Sequence, residues 1–316
     1  MRTASALVMR AVRKRYGRVR ALDGLDLAIP RGSVCGLVGP NGAGKTTAFG
    51  IVGGFIRADG GEIDLLGAGP FEARTHSGRL TLLPQDAELN PHVPVRMLLV
   101  HYARLQGQTR AVAQRDADRV LDLVRLRDRA GMRVRHLSHG MRRRVAIAQA
   151  LLGDPELVLL DEPTSGLDPH LVVEMRELFA EQRAKRTLVV SSHILGDLEA
   201  ACDHVVFMED GRAVRSGAMS EVTGRGDFVR IVLESDPHAA AEALRGALDG
   251  DGLVIEVEGE ALVVRANGSA PAAAGDGIAD LNARVLRALL DSGARIAEVR
   301  RGHSLEAAYM RDRARR

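Results

Sequence analysis

The chain has no tryptophan, and aromatic residues of every kind make up 3% of its 316 residues. A core must therefore be filled by Leu, Val, Ile and Ala, which the 46% hydrophobic content supplies. Lysine is almost as scarce: Lys14, Lys45 and Lys185 stand among 44 basic residues, the rest being Arg. The two cysteines, Cys35 and Cys202, have no metal-ligand or redox spacing and sit in apolar settings. That argues against a disulfide framework and for two small core residues in a reducing compartment. No apolar run approaches the ~18 residues of a membrane span. The apolar stretch between Met1 and Arg10 is too short for a signal peptide. Any action at a membrane is thus expected to go through a partner. A net charge of +3 is too even to predict nucleic-acid binding.

What is present is concentrated in one run: Gly39-Pro40-Asn41-Gly42-Ala43-Gly44-Lys45-Thr46. Its spacing, G-x-x-x-x-G-K-[ST], is that of the phosphate-binding loop of nucleoside triphosphatases. Val34–Val38 predicts a short buried strand entering it, and Thr46–Val52 a helix leaving it. Strand, glycine-rich loop and helix together turn backbone N–H groups and a helix N-terminus toward an anion. Lys45 then reaches the β- and γ-phosphates, and the Thr46 hydroxyl holds Mg²⁺.

At about 150 residues per domain, the length predicts two domains. Residues 1–217 read as one α/β unit, with apolar strands Val34–Val38, Leu157–Leu160 and Thr187–Ser191 among helical patterns. From about 86 to 150 two helical segments, near 94–106 and 110–125, predict a helical insertion in this core. Asp210-Gly211-Arg212 predicts a hairpin turn between Val205–Met208 and Ala213–Arg215. Residues 218–226 read as a linker. From 227 to 316 the pattern is strand, helix, two strands, helix, strand and a last helix near Ser304–Arg313. The order βαββαβ predicts a small α+β domain of ferredoxin-like type.

Two further features carry chemistry. Leu157–Leu160 is an apolar strand that ends in Asp161-Glu162. Such a strand places Asp161 beside the phosphate loop, where it can hold Mg²⁺ through water. Glu162 faces the other way by strand alternation and is positioned to polarise an attacking water as general base. Before it comes Leu137-Ser138-His139-Gly140-Met141, followed at once by a basic helix. After it come Pro163-Thr164-Ser165-Gly166-Leu167-Asp168 and, ending the next strand, Ser191-Ser192-His193. Gln85 stands at the entry to the helical insertion.

This ordered set, spread over residues 4–217, resembles the ATPase subunit of ATP-binding cassette (ABC) transporters. The resemblance implies a P-loop NTPase core with a helical insertion and an antiparallel β subdomain. It implies ATP and Mg²⁺ as the bound species. Tyr16 resembles the aromatic that stacks on adenine. Gly39 to Thr46, together with Thr47, correspond to the phosphate cradle, and Thr46, Gln85 and Asp161 to the Mg²⁺ set. His193 resembles a switch histidine that bonds the γ-phosphate and Glu162. Ser138 and Gly140 resemble signature residues that touch the γ-phosphate bound to the opposite subunit, and Asp168 one that communicates across the dimer. Implied partners are a second ATPase subunit, the same or different, and a separately encoded membrane permease that keeps the chain at the inner face of the membrane. The end Ser304-Leu305-Glu306-Ala307-Ala308-Tyr309 resembles the S-L-E-x-x-[FY] ending of ABC-2 type exporter ATPases, which favours export over import.

The sequence departs from the family at the signature. The usual L-S-G-G-Q is here Leu-Ser-His-Gly-Met, so His139 replaces a glycine and Met141 a glutamine. The expected consequence is either neutral variation or, since Met cannot donate a hydrogen bond, a slower ATPase or the choice of a different partner subunit. The run Arg142-Arg143-Arg144 is read as a solvated helix face, and nucleic acid is not expected as a partner. A soluble ABC ATPase working on nucleic acid or ribosomes remains the alternative, although paired cassettes, zinc modules and long coiled coils are not visible.

Overall fold

The computed structural model describes residues 5–223, 228–248, 253–266, 276–301 and 305–314. The chain divides into two compact units, Met1–Ala218 and Met219–Arg316. At the centre of the first is a six-stranded sheet in the order β5-β6-β7-β3-β8-β9. Its strands are β3 (Val34–Val38), β5 (Leu80–Leu83), β6 (Leu157–Leu160), β7 (Thr187–Ser192), β8 (His204–Glu209) and β9 (Arg212–Ala218). The first five run parallel and β9 pairs antiparallel with β8. Every residue of β3, β6 and β7 is buried, as expected of parallel strands covered on both faces. Helices α1 (Lys45–Val52), α6 (Pro169–Glu181) and α7 (Leu195–Ala201) follow β3, β6 and β7. Such crossovers leave the carboxyl ends of the strands free to form a ligand crevice.

Beside this sheet lies a three-stranded antiparallel sheet, β2-β1-β4, built from β1 (Ser5–Tyr16), β2 (Val19–Pro30) and β4 (Gly60–Leu65). The two sheets share a core: Leu7, Met9, Leu25 and Ile29 of the small sheet cluster with Leu37, Phe49, Leu159 and Val206. A short helix, α2 (Ala73–His76), leads into β5. The insertion between β5 and β6 holds three α-helices and no strand, α3 (Val95–Leu105), α4 (Arg110–Leu123) and α5 (His139–Ala150), with one isolated β-bridge between Pro94 and Arg133. Cys35 and Cys202 are free and buried. Burial pushes the Cys35 thiol up to about 12, so it is an inert core group.

The second unit opens with α8 (Met219–Thr223), where a linker was expected over 218–226. Ala218 closes β9, Met219 and Val222 bury their side chains, and the Thr223 hydroxyl donates back to the Met219 carbonyl at 2.7 Å. Two apolar residues one turn apart thus make a helix where the nearby glycines suggested a tether; residues 224–226 lie outside the described residues. A four-stranded antiparallel sheet follows, in the order β11-β12-β10-β13. It comprises β10 (Phe228–Leu233), β11 (Leu253–Glu258), β12 (Ala261–Ala266) and β13 (Ile296–Arg301), with α9 (Pro237–Ala247), α10 (Asp276–Asp291) and α11 (Leu305–Ala314). Alternate residues Val229, Ile231 and Leu233 pack with Leu244 of α9 and Leu289 of α10. The expected loop over 267–277 lies mostly outside the described residues, and α10 begins at Asp276.

Candidate nucleotide site

The Gly39–Gly44 loop leaves β3 at its carboxyl end and is walled by backbone. A Cβ added at Gly39 would lie 2.3 Å from the Met208 carbonyl oxygen. One at Gly44, where φ is 101°, would lie 2.5 Å from the Ala21 carbonyl oxygen. Neither neighbour can yield, so glycine is required at both. The β8–β9 turn braces the loop from the side: Gly211 N–H donates to the Ala43 carbonyl at 3.1 Å, and Asp23 N–H to the Gly211 carbonyl at 3.0 Å. Asp210 and Gly211 both have positive φ, 47° and 74°, as a tight hairpin turn demands. At Gly42 the cradle is open, with nothing within 4 Å of a Cβ position.

Lys45 is 6% exposed, and its Nζ donates to the carbonyls of Gly39 at 2.6 Å and Pro40 at 3.4 Å. A buried ammonium whose N–H groups are held only by its own loop's carbonyls can give them to an anionic ligand, which would replace those carbonyls as acceptor. Thr46, exposed, and Thr47, half-buried, stand on the first turn of α1. Tyr16 is 48% exposed and pairs with Val19 at the tip of the β1–β2 hairpin, the arm that carries Ala21 to the loop. The Lys14 ammonium lies 5.6 Å from the Tyr16 ring centroid.

The acids are the second part of the site. Strand β7 lies between β3 and β6, so Asp161 is joined to the loop through β7 rather than directly. Ser191 on β7, fully buried, ties both acids to that strand: its hydroxyl donates to Asp161 Oδ1 at 2.6 Å and accepts from Glu162 N–H at 2.8 Å. The Glu162 carboxylate meets His193 Nδ1 at 2.9 Å and Lys45 Nζ at 3.8 Å. Strand alternation does not set the direction of Glu162. Strand β6 ends at Leu160, and Glu162 has a φ of 49°, in the left-handed region. For a non-glycine residue that conformation costs about 1–3 kcal/mol and marks a position held by its surroundings.

Arg143 supplies much of that hold, and sequence reasoning missed it. Arg143 and Arg144 are each 9% exposed, not the solvated face expected of the Arg142–Arg144 run. From α5, Arg143 donates to four carbonyls: Gln85 at 2.9 Å, Asp161 at 2.9 Å, Glu162 at 2.7 Å and Pro163 at 3.1 Å. Burial pushes its guanidinium below its ordinary value, while Asp161, Asp86 and Glu162 act to keep it charged. Arg144 reaches the Val124 carbonyl at 3.3 Å and Glu174 at 3.5 Å. The signal was available in the helical period. Gly140, Arg143, Ile147 and Ala150 fall on one buried stripe of α5.

Ser138, Gly140 and Asp168 stand at the starts of α5 and α6, and Arg143 ties α5 to the backbone of the two acids. Ser138 caps α5, its Oγ accepting from Met141 N–H at 3.2 Å. Asp168 caps α6, its Oδ1 accepting from Leu171 N–H at 3.0 Å. A Cβ on Gly140 would meet Leu171 Cδ1 at 2.5 Å, and one on Gly166 would meet His139 Nε2 at 3.1 Å. The signature segment therefore packs on the loop that follows the acids. Gln85 is exposed after β5, with its backbone tied to Arg143.

Thr46, Gln85 and Asp161 offer oxygen donors only, and the described residues hold no cluster of three His, Cys, Asp or Glu suited to a metal. Sparse oxygen ligation is what Mg²⁺ tolerates, since it keeps several waters and takes phosphate oxygens as ligands. The arrangement can seat a nucleoside triphosphate on the loop with Glu162 beside its terminal phosphate.

Comparison with known proteins places this geometry. Residues 22–165 match the ABC transporter family. The chain is 35% identical over 247 residues to a Nod factor export ATP-binding protein I of Paraburkholderia xenovorans, covering 76% of this chain and 80% of that one. The chain belongs to the ABC transporter family. A second ABC relative, the Nod factor export ATP-binding protein I of Cupriavidus pinatubonensis, is 38% identical over 217 residues, covering 67% of this chain and 66% of that protein. Among solved ABC structures, cbiO1 from Clostridium perfringens, part of the transporter complex cbiONQ, superposes with a TM-score of 0.63 at 27% identity, over 70% of this chain and 91% of its own. The dimeric bacterial ABC transporter cassette MJ0796 has the same fold, with a TM-score of 0.61 at 22% identity over 67% of this chain and 98% of its own. ABC ATPases form dimers and work with a membrane permease. No helix among the described residues is long and apolar enough to cross a membrane.

Proposed function

We propose that this chain is the ATP-hydrolysing subunit of an ABC-2 type exporter and acts as a dimer on the inner face of the membrane. The observation that carries the reading is the convergence of Lys45 and His193 on the carboxylate of Glu162, at 3.8 and 2.9 Å, beside a phosphate loop. In this reading ATP lies on Gly39–Thr47 of one subunit, with adenine against Tyr16. Ser138 and Gly140 of the other subunit meet the terminal phosphate at the N-terminus of α5, where helix dipole and free N–H groups favour an anion. Asp168 carries the signal across the interface. Glu162 accepts a proton from water as that water attacks the γ-phosphorus, giving ADP and inorganic phosphate. His193 orients Glu162 and bonds the γ-phosphate, and Lys45 neutralises charge on the β- and γ-oxygens. Thr46, Gln85 and Asp161 would hold Mg²⁺ through oxygen and water, and the ion would supply further charge neutralisation.

Export is supported by the names of the relatives and by the S-L-E-x-x-[FY] ending, in which Leu305, Ala308 and Tyr309 are buried. Residues 1–217 form the ATPase domain in this reading and 227–316 an accessory domain. The strand order β11-β12-β10-β13, all antiparallel, supports a ferredoxin-like fold for the latter. Its role is to stabilise the dimer or the permease contact, and deleting residues 227–316 should weaken one of them; if both survive intact, the domain is regulatory or dispensable. The ATPase reading is tested by Glu162→Gln. That variant should bind Mg²⁺-ATP with wild-type affinity and lose nearly all turnover; hydrolysis at the wild-type rate refutes the assignment of the base.

A further inference from the structure

We propose that Arg143 is a positioning residue for hydrolysis: it locks the Glu162 backbone and the Gln85 loop to α5, so that the carboxylate and the Mg²⁺ set stay aligned only while this guanidinium is in place. The proposal rests on the ATPase reading above. Three observations carry it. First, Arg143 bonds the carbonyls of three consecutive residues, Asp161, Glu162 and Pro163, together with that of Gln85. A buried cation placed only to fill space would pair with a carboxylate; this one gathers backbone from two separate loops. Second, Glu162 is held at both ends of its residue, with its N–H on Ser191 and its carbonyl accepting from Arg143 at 2.7 Å and, at a longer 3.1 Å, from Ser165 N–H. Its left-handed φ of 49° needs that restraint, because relaxing toward a common conformation would swing the carboxylate away from His193. Third, a planar guanidinium with five N–H groups can span four acceptors, whereas an ammonium presents three donors from a single point.

The placement has a mechanical consequence. Ser138 caps the helix that carries Arg143, so the segment expected to meet the partner's nucleotide and the residue that sets this subunit's carboxylate move as one rigid element. Arg143 also lines a cavity of about 570 Å³ with Gln85, Asp86, Glu88, His139 and Arg142. A small cation can therefore reach the space left by a truncated side chain.

The test uses the full chain and the variants Arg143→Gln, Arg143→Lys, Arg143→Ala and Glu162→Gln. Equilibrium binding of a fluorescent ATP analogue with Mg²⁺, steady-state ATPase rates and thermal melting are measured on each. The expected result for Arg143→Gln is nucleotide affinity within about threefold of wild type and kcat lower by about 100-fold, the loss that follows when a reacting group is displaced by ~1 Å. Arg143→Lys should recover little of that rate. Guanidinium ion at low millimolar concentration should raise kcat of Arg143→Ala and leave wild type unchanged. If the Ala variant does not fold, the split between affinity and kcat in Arg143→Lys decides. A kcat for Arg143→Gln within about threefold of wild type overturns the proposal. So does a parallel loss of affinity and rate with no response to guanidinium, which marks a residue needed only for folding. Glu162→Gln turning over at the wild-type rate would instead overturn the underlying ATPase assignment, whatever the Arg143 variants do.

Discussion

Ser191→Ala is the substitution whose cost the structure states most fully. The hydroxyl is fully buried and makes two bonds, donating to Asp161 Oδ1 at 2.6 Å and accepting from Glu162 N–H at 2.8 Å. Removing it strands a buried N–H, at about 1–3 kcal/mol, and takes a donor from a buried carboxylate, at about 1.5–3 kcal/mol. Partial relaxation lowers the sum, so a loss of about 3 kcal/mol is expected. For a unit the size of Met1–Ala218, each kcal/mol is worth about 2–4 °C, which gives a fall of about 6–12 °C in melting temperature. The same change frees Asp161 from its rotamer and loosens the backbone at Glu162. The ATPase should therefore need more Mg²⁺ for half-maximal rate and show a lower kcat at saturation. Calorimetric melting and ATPase titrations in Mg²⁺ read both effects. A melting temperature within about 1 °C of wild type, with an unchanged Mg²⁺ dependence, would refute the view that this hydroxyl joins the two acids.

Other outcomes follow from the same geometry. Gly39→Ala places a methyl 2.3 Å from the Met208 carbonyl oxygen and should abolish nucleotide binding, as read by isothermal titration, or prevent folding. Arg96 donates two hydrogen bonds to Asp118, which hold its carboxyl below the ordinary carboxylate value, so this pair stabilises fully above about pH 4 and is lost as the pH falls through the lowered value. Asp118→Asn should accordingly reduce stability at pH 7, and the difference should shrink as the pH falls below about 4, measured by urea denaturation across that range. Restoring the common signature, His139→Gly with Met141→Gln, should raise the ATPase rate if the altered segment slows turnover; an unchanged rate and unchanged dimerisation would show the variation to be neutral.

Much of the site was legible because its parts are local. The phosphate loop needs particular residues at fixed offsets, and a buried parallel strand must be an apolar run, so Val34–Val38 and Leu157–Leu160 were readable from pattern alone. The Asp210–Gly211 hairpin was readable because its backbone conformation favours few residue types. What was hidden depends on chain segments far apart. Strands β1 and β2 are long and bulged, β1 carries Arg10, Arg13 and Arg15 at exposed positions, and their register comes from pairing that no local pattern reveals. Arg143 looked like one of three solvated cations. Its role exists only because β6 turns sharply after Leu160 and aims three carbonyls at α5. Ser191 read as the neighbour of a candidate histidine; its work as a bridge depends on β7 lying between β3 and β6.

An ATPase that powers a membrane transporter must bind it, and affinity purification of tagged Glu162→Gln with ATP and Mg²⁺ from detergent-solubilised membranes of the source organism reads that contact directly. A polytopic membrane protein should co-purify. Recovery of ribosomes, nucleic acid or a soluble complex in its place would contradict the transporter assignment and leave a soluble ABC ATPase.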